Sequence, residues 1–502
     1  MTKKVLVWLD DNYTYLHYGI CSELSKLDDF EFFGFVSNQK NLDLFTAQNK
    51  VKFTELHYFP QYYNNKPKTP DFDFLRSLET KIGLNIWQLA YSERSFLEER
   101  NFFHKFNINE ILQIIESISK FYIEFLERVK PDFIIIQPIG ESITNILLYL
   151  IAKNLNISSP MLMPLKLSNS RFLTDDYSLS ELKSEFNKIK KSSPKKLEKF
   201  DQNYLKKRTQ LKHVETVLKY PYGKSNFSEK ISRYSKRIFS TPEPLFFNRG
   251  KTPFRMLKYR FKIYFQQKST SKFIEKISLK SIPNKKFVYY PLSVFPEANV
   301  LFYSPYFVNQ LSIIQNIAKS LPSDYILCIK EHPAQETKLW RNINFYKSLS
   351  TMPNVELIHH SNKNFDLIPK SSLVITVNNT SGFEALFFKK PVIVLGDIFY
   401  DEIQGVIKIS SFSDLPNAIK KSLENSSILD FHELSYLVSA IENKELVIPY
   451  SNFISDSISL TSKINHSSSP KKLLPGLMNF LTKYQNEFRK IAISYNEYNT
   501  KN

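Results

Sequence analysis

His332 and the run Asn379-Thr380-Ser381-Gly382 are the residues whose types and positions could do chemistry together in this 502-residue chain. His332 follows the apolar run YILCIK, and Pro333 stops that strand from continuing. The imidazole is therefore expected at the carboxyl edge of a sheet, where ligands sit and where it can donate to a phosphate oxygen. Alternation along the strand sends Lys330 to the same side, adding a cation. A second apolar run, LVITV, leads into Asn379, Thr380, Ser381 and Gly382 at a helix start. Backbone N–H groups and hydroxyls at such a junction hold a monophosphate or diphosphate against the positive helix end, and a glycine allows close approach. Ser381 and Glu384 also have the spacing of an N-cap and its partner, so Glu384 either caps the helix or turns toward a ribose hydroxyl. Asp397, in Gly396-Asp397-Ile398-Phe399-Tyr400 after the next strand, is a candidate for sugar or base hydroxyls, or a plain loop acid. A lone histidine or a capped helix is ordinary. Both at the open edge of one sheet is how a nucleotide-sugar site is built, which points to glycosyl transfer.

Transfer with inversion needs a group to take the acceptor's proton. Asp10 and Asp11 come just past the first strand, Glu141 begins the helix after FIIIQPIG, and Glu297 ends the stiff exit YYPLSVFPE. Each is a candidate base, and turn or capping acids share the same signature.

The elements that must position these residues read as two α/β lobes. In residues 1–175, strands at KVLVWL, FEFFGFV and FIIIQ alternate with helices, leaving open loops after Leu9 and after Gln137. Residues 83–128 carry apolar side chains at helical spacing, with a break near Asn107. Residues 176–285 shift to Lys, Ser and Asn and read as a basic, mostly helical insertion. From 286 to 425, strands FVYYP, YILCIK, VELI, LVITV, PVIVL and one near 406–409 alternate with short helices, the signature of a parallel, doubly wound sheet. Residues 426–502 read as a helical extension whose amphipathic segment 476–495 packs against other elements.

Composition narrows the classes. Hydrophobic residues at 42%, with 42 Phe and 28 Tyr, provide for buried cores and argue against disorder. Only 10 glycines and no GxGxxG or GxxxxGK[ST] set aside Walker-type ATPases and simple dinucleotide enzymes. Cys21 and Cys328 lie in apolar runs without metal-like spacing, so neither a disulfide nor structural zinc is expected and a reducing cytoplasm is the natural setting. No segment has the length of a membrane span. Lys and Arg total 68 against 49 Asp and Glu, a net charge of +19 concentrated near 183–286. That excess suits an anionic partner: a membrane face at the periphery, an acidic glycan, a sugar nucleotide or a nucleic acid. A solvated lysine-rich surface is the plain alternative. Nucleic acid is disfavoured, since KYRFKIYF has no RNA- or DNA-binding module around it.

YYPLSVFPEA, NQLSIIQNIAKSLP, IKEHPA, FYKSLSTMPNVELI and VNNTSGFEALFFKKPVIVLGDIFY, taken in order, resemble the capsule polysaccharide biosynthesis proteins, a GT-B-like group that includes capsule Kdo transferases. The resemblance spans roughly 287–403 and touches the first lobe in outline through KPDFIIIQP. It implies an α/β, GT-B-like fold of two Rossmann-like lobes with parallel sheets, the C-terminal lobe holding the donor. It implies a nucleotide-activated sugar, CMP-linked ahead of UDP-linked, and a surface-glycan or lipid-linked glycan acceptor at the cytoplasmic membrane face. No cofactor or metal is expected. His332 and Pro333 take the place of the family's His-Pro motif, and Thr380, Ser381 and Gly382 that of its hydroxyl-rich helix start, both as phosphate contacts. Ser293 stands where the PLxxxPE segment is expected to carry His, which opens the reading of a member with lost or altered activity. A CDP-glycerol glycerophosphotransferase of the teichoic-acid type pairs the same two motifs and is a second reading. A non-catalytic glycan-assembly or nucleic-acid-binding protein is a third.

Overall fold

The computed structural model describes residues 2–63, 69–97, 101–140, 142–165, 170–192, 246–295, 298–338, 341–424, 431–466 and 473–501. The chain forms two compact units, one of Met1–Tyr177, His213–Met256 and Glu445–Asn502, the other of Ser178–Lys212 and Leu257–Lys444.

The first unit is built on β1 (Lys3–Leu9), β2 (Phe30–Val36), β3 (Phe53–Tyr58) and β4 (Phe133–Ile135), all parallel, in the order β3-β2-β1-β4. Strand β1 is buried on both faces because helices cover both. One cover is helix Thr14–Leu24, itself buried along its whole length under the C-terminal helix Gln485–Lys501. A Cβ on Gly19 would lie 2.5 Å from the Phe488 ring, so only glycine lets the two helices approach this closely. The amphipathic segment read at 476–495 is two helices, Leu474–Lys483 and Gln485–Lys501, and the second closes the core of the first unit.

The second unit carries β7 to β12 after two short strands of the first, β5 (Met161–Pro164) and β6 (Ser170–Thr174). Strands β7 (Phe287–Pro291), β8 (Ile326–Lys330), β9 (Val355–Ile358), β10 (Leu373–Thr376), β11 (Val392–Val394) and β12 (Val406–Lys408) form one parallel sheet, in the order β12-β11-β10-β7-β8-β9. The chain lays β7, β8 and β9 outward, crosses back to place β10 beside β7, and continues the other way. That is the Rossmann order, and its ligand crevice opens at the switch point, between the carboxyl ends of β7 and β10. In the first unit the same argument picks the carboxyl ends of β1 and β4.

A last strand, β13 (Glu445–Val447), pairs antiparallel with β6, making a three-stranded sheet that the sequence reading had not anticipated. The described parts of the basic middle include helices Ser180–Ser192 and Pro253–Ile277. Its stretch 193–245 lies outside the described residues.

Candidate site at the switch point of the second unit

The exit of β7 is clamped from two sides by side-chain amides. Gln310 accepts from the Ser293 N–H at 2.9 Å and donates to the Ser293 carbonyl at 3.1 Å. Gln335 treats Phe295 the same way, at 2.9 and 3.1 Å. Both glutamines are almost wholly buried, and each supplies the pairing that the backbone loses on leaving the sheet.

Across the crevice stands Asn379, the N-cap residue of helix Thr380–Phe387. Its side chain accepts from Ser293 Oγ at 3.0 Å and donates to the Pro291 carbonyl at 3.1 Å. Its own N–H goes to Thr376 Oγ1 at 3.1 Å, and its carbonyl accepts from the Tyr400 hydroxyl at 2.7 Å. Asn379 is thus spent on holding β7 to β10, and its side chain does not cap the helix. Ser293, the departure from the expected histidine, is the group that ties the two strand exits together.

Two expectations for this helix are corrected. The capping box between Ser381 and Glu384 does not form, because the helix begins at Thr380 and both residues lie inside it. Ser381 Oγ instead accepts from Asn364 Nδ2 at 3.0 Å, and Asn364 Oδ1 accepts from the Tyr289 hydroxyl at 3.0 Å. The absent side chain of Gly382 makes room for Tyr400, whose hydroxyl would sit well inside contact distance of any Cβ there. The glycine therefore serves the Tyr400 clasp on Asn379.

Glu384 is buried. Tyr289 and Tyr400 are held far above the usual phenol range, by burial first and by the negative charge of Glu384 second. Lys330 is also buried; desolvation pulls its ammonium down to about 8, while Glu384 and Glu331 oppose the shift. Between about 8 and its ordinary 10.5 the unfolded chain carries a proton on this lysine that the folded chain does not. Stability contributed by this group accordingly rises with pH across that window. We expect melting temperatures to show this upward component, and Lys330→Met, which removes the titrating group, to flatten it. An unchanged pH slope in the variant would contradict the assignment.

His332 lies just past β8, two strands from Asn379, about 10 Å at ordinary strand spacing. Its Nδ1 accepts from the Ala334 N–H at 3.1 Å. A backbone amide can only donate, so the neutral imidazole carries its proton on Nε2. Pro333 opens helix Pro333–Lys338, where a missing N–H costs nothing. Glu331 fixes the turn: one oxygen accepts from the His332 N–H at 3.0 Å, the other from Arg341 Nε at 2.9 Å and from the Tyr346 hydroxyl at 2.7 Å. Arg341 also reaches the Ser293 carbonyl, so one buried guanidinium joins the β7 and β8 exits. Arg341 and Tyr346 escaped the sequence reading, since nothing local marks a distant partner for Glu331.

Asp397 is largely exposed and paired with Lys408, which also lies 3.6 Å from Asp401. It sits at the surface of the edge, as a plain loop acid would. In the first unit Asp10 follows β1 at the switch point, and its charge adds to burial in raising the phenols of Tyr63 and Tyr122. Asp11 opens a short turn, Asp11–Tyr13, and its side chain lies outside the described residues, as do Glu141 and Glu297. The helix start after β4 is already filled: the Glu93 carboxylate accepts from the Ile143 N–H at 3.1 Å, Ser142 Oγ at 3.2 Å, and the N–H and Oγ of Ser95 at 3.0 and 2.7 Å. The two sheets therefore differ at comparable places. One helix start holds the chain's own carboxylate, and the other is left uncapped by its N-cap side chain, Asn379.

Residues 186–426 match the family described as capsule polysaccharide biosynthesis protein. Protein FixF of Sinorhizobium fredii (strain NBRC 101917 / NGR234) is 32% identical over 120 residues, 23% of this chain and 27% of that protein, so the chain spans about a quarter of that relative's length. Among solved structures, the β-Kdo 2,4-transferase KpsC of Thermosulfurimonas dismutans is 12% identical, with 62% of this chain and 87% of that one covered at a TM-score of 0.29. A glycosyltransferase of Rickettsia africae is 11% identical, with 93% and 100% covered at 0.28. Superpositions this loose carry no argument, and the fold stands on its strand order. The resemblance seen in the motifs is borne out: residues 186–426 match the model of the capsule polysaccharide biosynthesis family.

Proposed function

We propose that this protein is a glycosyltransferase of surface-glycan assembly whose Leu257–Lys444 unit binds a nucleotide-activated sugar. The observation that carries the reading is the helix start at Thr380, which lies at the switch point of its sheet and is not capped by the side chain of its N-cap residue, Asn379. Backbone amides at such a start favour a phosphate or diphosphate, and His332 Nε2–H along the same edge supplies a second donor. Lys330, the last residue of β8, and Glu384 are both buried, and the carboxylate favours the charged form of the lysine against the pull of desolvation. A CMP-linked donor is placed ahead of a UDP-linked one on family likeness, with a glycan or lipid-linked glycan as acceptor at the cytoplasmic membrane face. Asp10 is the described candidate for taking the acceptor's proton. The reading includes no resident metal or cofactor.

Thermal melts of the full chain with CMP, UDP and CDP test it. A nucleotide at about a hundred times its dissociation constant stabilises by about 2.7 kcal/mol, so one of the three should raise the melting temperature by several degrees. A largest shift with CDP would favour the glycerophosphotransferase instead. No shift with any of them would remove the donor site.

A further inference from the structure

We propose that helix Pro253–Ile277 is an interfacial anchor, lying along an anionic membrane surface. The helix is apolar on two sides. Toward its C-terminal end Thr270 and Ile274 are buried, with 1% and 3% of their surface exposed, so that side packs on the protein. Nine residues separate Phe261 from Thr270, which turns the helix by about 180°. On this opposite side Phe254, Leu257, Phe261, Tyr264 and Phe265 are exposed, the four aromatics at 58–76%. Their spacing of three or four residues makes one continuous stripe about 17 Å long. Scattered exposed apolar residues are normal, but a row of large rings along one helix needs a partner.

Charge identifies that partner. Arg255, Lys258, Arg260, Lys262, Lys268 and Lys272 share the helix with the stripe, and no Asp or Glu occurs before Glu275. Aromatic rings flanked by lysines are the composition of a helix that rests at the boundary of headgroups and acyl chains, its cations meeting anionic lipid. The stripe is continuous and includes the aliphatic Leu257, which suits an acyl boundary better than separate base-stacking platforms. Among the described residues no helix is long and apolar enough to cross a membrane, which agrees with a helix lying flat on one. This inference is independent of the donor-site reading, because it uses none of those residues.

Co-sedimentation of the full chain with vesicles of phosphatidylcholine, alone or mixed with phosphatidylglycerol, tests it. Binding is expected only to the mixed vesicles and should fall with salt. Two variants separate the contributions: Phe261→Ser with Phe265→Ser, and Lys258→Glu with Lys262→Glu. Each should weaken vesicle binding by roughly tenfold or more. Since all four side chains are exposed, melting temperature and any nucleotide-induced shift should stay unchanged, which keeps a failed anchor distinct from a failed donor site. Equal binding to neutral vesicles, wild-type binding by both variants, binding to single-stranded DNA in place of vesicles, or self-association abolished by the serine variant would each overturn the proposal.

Discussion

Arg341→Ala should lower the stability of the Leu257–Lys444 unit by about 3–5 kcal/mol, the usual consequence of stranding one member of a buried ion pair. Glu331 and Arg341 have side chains only 2% and 7% exposed, so water cannot replace the lost partner. The change also leaves the Ser293 carbonyl to Gln310 and the Glu331 carboxylate to the His332 N–H and the Tyr346 hydroxyl. At roughly 2–4 °C per kcal/mol for a unit of this size, the transition of this unit should move down by roughly 6–20 °C. Thermal melts followed by calorimetry can separate it from the other unit's transition. Replacing both partners, Glu331→Gln with Arg341→Met, removes the stranded charge and should recover part of the loss. If the double variant is less stable than Arg341→Ala, the pair contributes through something other than mutual neutralisation. If Arg341→Ala melts like the wild type, the pair does not organise these strand exits.

The parts of this protein legible in its sequence are those where one local rule decides. Long apolar runs such as KVLVWL and LVITV have no polar face to mislead, and a proline after the strand marks where His332 emerges. Strand β3, FTELHY, escaped notice because it is an edge strand with polar residues facing out, and β13 because three residues carry no period. The site divides in the same way. Strand ends and a helix start pick out the candidate edge from the sequence, while its wiring depends on partners far away in sequence. Ser381 and Glu384 have the spacing of a capping box, but tertiary demands outweigh it: Asn379 takes the N-cap position, and Glu384 is buried inside the helix. Gly382 was read as space for a phosphate when that space belongs to Tyr400, 18 residues on and invisible to any local pattern.

His332→Asn should separate the two jobs of this side chain. In the wild type Nδ1 accepts from the Ala334 N–H, which holds the turn, and the neutral ring carries its proton on Nε2. An asparagine can place its carbonyl oxygen where Nδ1 stands, keeping the turn, but has nothing at the Nε2 position. A hydrogen bond to a charged phosphate contributes about 1.5–3 kcal/mol, so His332→Asn should bind the stabilising nucleotide tenfold to a hundredfold more weakly. Its melting temperature without nucleotide should match the wild type. His332→Ala should lose the same affinity and, with the Ala334 N–H deprived of its partner, about 1 kcal/mol of stability as well. Isothermal titration with the nucleotide and parallel melts of the three proteins supply the comparison. The donor assignment of this edge stands on the pattern, not on either variant alone: weakened binding at unchanged stability in His332→Asn can come only from the outward nitrogen. Wild-type affinity in His332→Asn would reduce His332 to a residue that shapes the turn, and the phosphate would then have to be held by the helix start alone.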